Sequence, residues 1–136
     1  MSKVFVTGIG LISAIGNNAS ENLESLRNSQ SGIEKSKYFN SKYADIFPFG
    51  EIKLSNEKLK AELSFKDSEH FTRTDLVAFK AFKEAVQDAH LSSLLSDRGT
   101  ALISSSTVGG MCETDMLYND ANMKTDAQMF YATEVL

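Results

Sequence analysis

One cysteine, one proline and two histidines leave this 136-residue chain short of the residues that staple, kink or ligate. With Cys112 alone no internal disulfide can form, so a reducing cytoplasm is the expected compartment. Fourteen basic residues against eighteen acidic ones give a net charge of −4, with no Lys/Arg cluster set into that balance. Nucleic acid is therefore not expected as a partner, because such binding rests on phosphate neutralisation. Long hydrophobic runs are missing too, and no stretch approaches the ~18 apolar residues of a membrane span. The apolar start carries only Lys3 before it and turns polar by Asn17, which does not fit a signal peptide. Internal repeats and low-complexity segments are absent. What remains has the apolar and charged fractions of an ordinary globular domain, 42% and 24%.

Val4, Phe5 and Val6 predict a strand buried on both faces, running into a glycine-rich turn that ends at Gly16. Two readings compete for this stretch. In one, glycines after a first strand let the backbone approach a pyrophosphate at a helix N-terminus. That chemistry needs G-x-G-x-x-G, with a third glycine for helix packing and an acidic residue about 20 positions on. Gly8 and Gly10 supply two glycines, but Ser13 stands at the third, and Asn17, Asn18, Ala19 and Ser20 follow with turn and capping chemistry. The T-G-x-x-x-G-x-G pattern of short-chain dehydrogenases fails as well, at Ile12 and Ala14. A stand-alone nucleotide-binding α/β domain is thus the lesser reading. In the other, the glycines serve packing.

Further along, Asn18 and Glu21 form a capping pair, and Ala19, Leu23 and Leu26 fall on one face of a helix that stops near Gly32. From Glu34 to Glu69 the pattern weakens around the lone Pro48, predicting an ordered loop with a short strand near Phe49–Ile52 and a short helix over Asn56–Leu63. Thr74–Ala89 carries a wide apolar stripe and predicts a largely buried helix. Its Ala78, Ala81 and Ala85 would let another backbone approach closely, and Lys80 and Glu84 stand i,i+4 on its polar edge. Leu94–Arg98 reads as a connector, Thr100–Ser104 as a second core strand and Ser105–Gly110 as a loop. Helices are expected to start over Met111–Tyr118 and Ala127–Leu136. Strands alternating with helices indicate α/β architecture with a parallel or mixed sheet.

Three segments, in order, resemble one family. Val6-Thr7-Gly8-Ile9-Gly10-Leu11-Ile12-Ser13-Ala14-Ile15-Gly16-Asn17, with its following helix and Ser31-Gly32-Ile33, resembles the amino terminus of the β-ketoacyl-acyl-carrier-protein synthases, elongating condensing enzymes of the thiolase superfamily. Phe71–Asp75 through Lys83–Leu91 resembles the family's first long helix, which ends Lys-Glu-Ala-Leu-x-Asp-Ala-Gly-Leu. Thr100–Gly110 resembles its next core strand and Gly-Ser-Gly-Ile-Gly-Gly loop. The resemblance implies an α/β fold forming the N-terminal half of a thiolase-like layered sandwich. Residues 1–136 would be the N-terminal part of that domain, interrupted before the nucleophile. It also implies decarboxylative condensation of malonyl carrier with a cysteine-bound acyl chain, and an acyl carrier protein as partner. The family works as a homodimer, or as a heterodimer with another condensing-enzyme subunit, without metal or redox cofactor.

Carried over by residue, the resemblance places no catalytic group in this chain. Cys112 lies in Gly-Gly-Met-Cys-Glu-Thr, not in the family's Thr-Ala-Cys-Ser-like elbow, and Glu113 beside it disfavours the thiolate. It reads as a small hydrophobe. His90 matches the C-cap glycine of the long helix, and His70 lies in the polar loop before it. Thr107, Val108, Gly109 and Gly110 would line the acyl pocket, with Val108 limiting chain length. Phe130 and Tyr131 would serve the dimer interface and the partner's acyl tunnel. Lys66 and Arg73 are what is left of the basic patch that meets the acidic carrier. That thinning leaves open a chain-length-factor-like, non-catalytic partner subunit. Half of a sandwich on its own would expose an apolar face and aggregate or pair.

Overall fold

In a computed structural model of the chain, residues 3–38, 41–66, 71–91, 101–107, 109, 118 and 122 are described. The first helix, α1 (Ala19–Arg27), begins where Asn18 accepts a hydrogen bond from the Glu21 amide at 2.8 Å. The Glu21 carboxylate in turn accepts from the Asn17 amide at 2.8 Å, so the expected capping pair is in place. The helix ends short of Gly32 because Ser29 turns left-handed, with φ of 52°. The Ser29 amide then donates to the Leu26 carbonyl and the Gln30 amide to the Ser25 carbonyl, a Schellman closure. The packed face also differs from expectation: Asn22 and Ser25 are buried while Leu23 and Leu26 are exposed. The neighbouring turn offers α1 backbone carbonyls instead of apolar side chains. Asn22 Nδ2 donates to Gly16 and Asn18, at 2.9 and 2.7 Å, and Ser25 Oγ donates to Ile15 at 2.6 Å. The Ser13 hydroxyl completes the set on Asn22 Oδ1.

After α1 the chain forms one antiparallel pair, β1 (Ile33–Glu34) with β2 (Phe49–Gly50), in the register Ile33 to Gly50 and Glu34 to Phe49. Glu34 bridges Lys53 at 3.1 Å and Lys37 at 3.6 Å. The hydrogen bond from Lys53, and then the charge of Lys37, hold its carboxyl below the usual carboxylate range. The Glu51 carboxylate gathers the amides of Lys37 and Tyr38 and the Ser36 hydroxyl, which orders the loop after β1. The helix α2 (Asn56–Leu63) has the expected bounds, with Ser55 as its N-cap. The long helix α3 (Arg73–Asp88) opens on a reciprocal capping box between Thr72 and Asp75. α2 packs on α3, and Leu59 and Leu76, one from each, are fully buried. Phe65, Phe71 and Phe79 extend this seam, with Phe65 stacked on Phe71 at 4.4 Å and Phe79 edge-on to both.

Three expectations are corrected here. Val4–Thr7 pairs with no strand among the described residues, and Val4, Phe5 and Val6 are 94%, 74% and 82% exposed instead of buried on both faces. The described part of the second predicted core strand, residues 101–104, is likewise unpaired, with Leu102 and Ile103 at 75% and 93%. A strand is defined by its neighbour's hydrogen bonds, and the only ladder among the described residues is β1–β2, which is antiparallel. Of α3, only Leu76 is buried, while Phe79 and Phe82 keep an open side. Its apolar stripe is real, but α2 and the first segment cover only part of it. The described structure is thus a small α/β unit of three helices and a two-stranded sheet.

Candidate functional site

The glycine-rich first segment lies along α3, and its glycines are there for closeness. A β-carbon on Gly10 would overlap the Ala81 carbonyl oxygen and stand 2.7 Å from the Ala85 amide nitrogen. One on Gly8 would meet the Ala85 carbonyl oxygen and, at 2.7 Å, the Ala89 side chain. The small residues Ala81 and Ala85 do admit another backbone, as their spacing predicts, and that backbone is the glycine segment itself. Lys80 and Glu84 do not act as a pair across their turn. Lys80 bridges Glu62 at 2.7 Å, and Glu84 turns to the first segment. Glu84 Oε2 accepts from the Leu11 amide at 2.9 Å, and Glu84 Oε1 accepts from the Ala19 amide at 2.8 Å. One turn on, Asp88 Oδ2 accepts from the Ile9 amide at 2.9 Å. Amides and glycines that a dinucleotide phosphate would need open are therefore taken up by α3, which weighs against the nucleotide reading.

At the other end of α3 lie Arg73, carried over for docking, and the described part of the loop carried over for the pocket. Arg73 is the helix's first residue, half-buried, donating to Asn56 Oδ1 and to the Ile52 carbonyl, each at 2.8 Å, with Tyr38 under its guanidinium at 5.9 Å. Its charge thus ties the β2–α2 connection to α3. Beside it, Glu57 is held below the ordinary carboxylate range by hydrogen bonds from its backbone amide and from the Ser55 hydroxyl. Lys66 is exposed just past the end of α2. Thr107 and Gly109 are exposed as well, and a β-carbon on Gly109 would lie 3.9 Å from the Thr74 methyl, so this loop reaches the first turn of α3. Val108, Gly110, Phe130 and Tyr131 lie outside the described residues, as do His70 and Cys112.

Two hollows border these elements. A polar one of about 140 Å³ sits between the 13–17 turn and α1, with Ser13, Glu21, Gln30 and Lys53 in its wall. An apolar groove of about 340 Å³ runs between Leu63, Phe65, Phe79, Phe82 and Val86. Neither is lined by Thr107 or Gly109. His90 occupies the left-handed position just past α3, with φ of 55°, and its amide and that of Leu91 close a Schellman motif on Gln87 and Val86. It thereby stands where the family's C-cap glycine was matched. Sequence reasoning missed Glu84 and Asp88 as backbone acceptors. Their one available signal was an acidic i,i+4 pair on a helix whose alanines already invited close approach.

Comparison with known proteins bears on this arrangement. The 3-oxoacyl-[acyl-carrier-protein] synthase 1 of Buchnera aphidicola subsp. Baizongia pistaciae is 32% identical over 116 residues, which is 83% of this chain and 28% of that protein. Its namesake in Buchnera aphidicola subsp. Schizaphis graminum is 37% identical over 93 residues, 68% of this chain and 22% of the relative. The Escherichia coli K12 protein of the same name is 33% identical over 92 residues, with the same two shares. No family profile and no solved structure matches. The chain spans about a quarter of the length of these curated relatives, 22–28%. Within that stretch it is a homologue of the β-ketoacyl-acyl-carrier-protein synthases.

Proposed function

We propose that this chain is the N-terminal part of a 3-oxoacyl-acyl-carrier-protein synthase domain with a thiolase-like layered fold. The observation that carries the reading is the 32% identity running through 83% of the chain. The complete protein would hold an acyl group as a cysteine thioester, release carbon dioxide from malonyl carrier, and join the resulting enolate carbon to the acyl carbonyl as the acyl C–S bond breaks and the cysteine thiolate leaves. The resemblance carries no nucleophile or enolate stabiliser over to residues 1–136, so those roles are assigned to residues elsewhere in such a protein. Thr107, Val108, Gly109 and Gly110 are assigned to the acyl pocket. Phe130 and Tyr131 are assigned to a dimer interface, and Lys66 to the carrier-docking face, with the protein working in the cytoplasm.

A second reading draws support from Arg73. Its guanidinium is committed to Asn56, Ile52 and Tyr38, which leaves the carrier-docking patch thinner than its sequence suggests. A chain-length-factor-like subunit, paired with an active synthase, would need no such patch. The intact protein, incubated with acyl carrier protein bearing a labelled acyl group and then with malonyl carrier, separates the two. Label bound to this polypeptide, followed by carbon dioxide release and a longer product, is the expected result. Label found only on a co-purifying partner selects the second reading, and no label and no condensation overturns both.

A further inference from the structure

The contacts between α3 and the first segment have a spacing that explains them. Residues four apart on an α-helix are displaced by about 6 Å along its axis. In an extended chain, amides on one edge recur every second residue, about 6.6–6.8 Å apart. Glu84 and Asp88 are four apart, and the amides they hold, Leu11 and Ile9, are two apart. The order is reversed along the two elements, so the segment runs antiparallel to α3. We propose that Glu84 and Asp88 form a carboxylate ladder with which α3 stands in for a neighbouring strand and fixes the register of residues 8–11 on the helix.

Two independent features select that register. A slip of one residue would turn carbonyl oxygens toward the carboxylates and bring Ile9 where only glycine fits against Ala81 and Ala85. A slip of two would move the Gly8–Gly10 pair off one of its two contact points and replace it with Val6 or Ile12. Glu84 also does more than Asp88. Its second oxygen holds the Ala19 amide, the first of α1, so a single carboxylate fastens both the extended segment and the start of α1 to α3. An anion at that place suits the positive end of a helix. Among the described residues, no ion pair engages either carboxylate; the two lysines of α3, Lys80 and Lys83, are both turned to Glu62, the first to its carboxylate and the second to its carbonyl. A glutamine could not do the same work, since it has one acceptor oxygen where glutamate has two. The ladder is a property of the fold and stands apart from the reaction proposed above.

Amide hydrogen exchange at neutral pH in the intact protein tests it. The Ile9, Leu11 and Ala19 amides are expected to exchange at least ~10-fold more slowly than the same amides in the unfolded chain, as bonded amides do against open ones. Glu84→Ala should release Leu11 and Ala19 together, Glu84→Gln only one of the two, and Asp88→Ala only Ile9, while the Leu76 amide keeps its protection. Ile9 and Leu11 exchanging at unfolded-chain rates in the unaltered protein would overturn the proposal. So would protection at both that survives Glu84→Ala and Asp88→Ala, since another strand would then be holding them. Should Glu84→Ala expose Leu76 as well, Asp88→Ala decides: faster exchange confined to Ile9 supports the ladder, and an unchanged Ile9 refutes it.

Discussion

At Gly10 the backbone of the first segment lies so close to α3 that any side chain would have to displace the helix or the segment. Gly50 is a useful contrast, because a β-carbon there would sit 3.7 Å from the Ala14 methyl, an ordinary contact. Gly10→Ala in the intact protein should therefore cost about 1–3 kcal/mol, the usual range for overpacking a tight site. Gly50→Ala should stay within about 0.5 kcal/mol. Urea unfolding midpoints at unchanged slope are the measurement, and equal midpoints for the two variants would show that the approach of Gly10 to Ala81 is not a stabilising contact. The same residue-scale logic applies to Asn22. It is nearly fully buried, yet its amide donors and acceptor all meet partners on the 13–18 turn, so its burial does not strand a polar group.

Each helix ends on a residue that is not glycine: Ser29, Ser64 and His90 all adopt positive φ, between 52° and 63°. An L-residue in that region costs about 1–2 kcal/mol, and glycine returns part of this through its freer unfolded chain. Ser64→Gly and His90→Gly are accordingly expected to stabilise the intact protein by about 0.5–1 kcal/mol each. Ala61→Gly, on the exposed side of α2, should cost about 1 kcal/mol. A fall in melting temperature for His90→Gly would refute the strain account. What the sequence made legible at this scale was local. Asn18 with Glu21, and the apolar stripe of α3, carry their own signals within a turn or two, so α2 and α3 were placed to within a residue. Of the strands, the short one expected near Phe49 is present as β2, whereas Val4–Val6 and Leu102–Ile103 were misleading, because they have strand composition whether or not a neighbour lies beside them. The buried face of α1 was misread for a related reason. Periodicity counts apolar residues, whereas the surface waiting for α1 was a row of carbonyls. Of the candidate site, the packing role of Gly8 and Gly10 followed from the broken dinucleotide pattern. That Glu84 and Asp88 would hold the intervening amides depends on a match between two unlike repeats, which no single-element pattern contains.

Across the whole molecule, the described residues bury two large apolar side chains completely, Leu59 and Leu76. Val4, Phe5, Val6, Leu102 and Ile103 meanwhile stand more than two-thirds exposed. At about 25 cal/mol per Å² of apolar surface removed from water, so small a core contributes little against the conformational entropy of ordering the chain. Helix caps, the aromatic seam and the carboxylate ladder fix local geometry, and none of them replaces a core. The apolar stretches also carry unpaired backbone edges, which favour association with another chain. The 136-residue polypeptide expressed by itself is therefore expected to bind an apolar dye, to associate as its concentration rises, and to melt over a broad range. Phe5→Glu with Ile103→Glu should reduce both dye binding and association, since each side chain is open in the described structure and neither supports α2 or α3. Sedimentation velocity across a hundred-fold dilution, paired with calorimetry, is the measurement. A dilute monomer with a sharp calorimetric transition and no dye binding would mean that the two leucines and the aromatic seam suffice, and that the exposed strands are covered in solution by residues of the same chain.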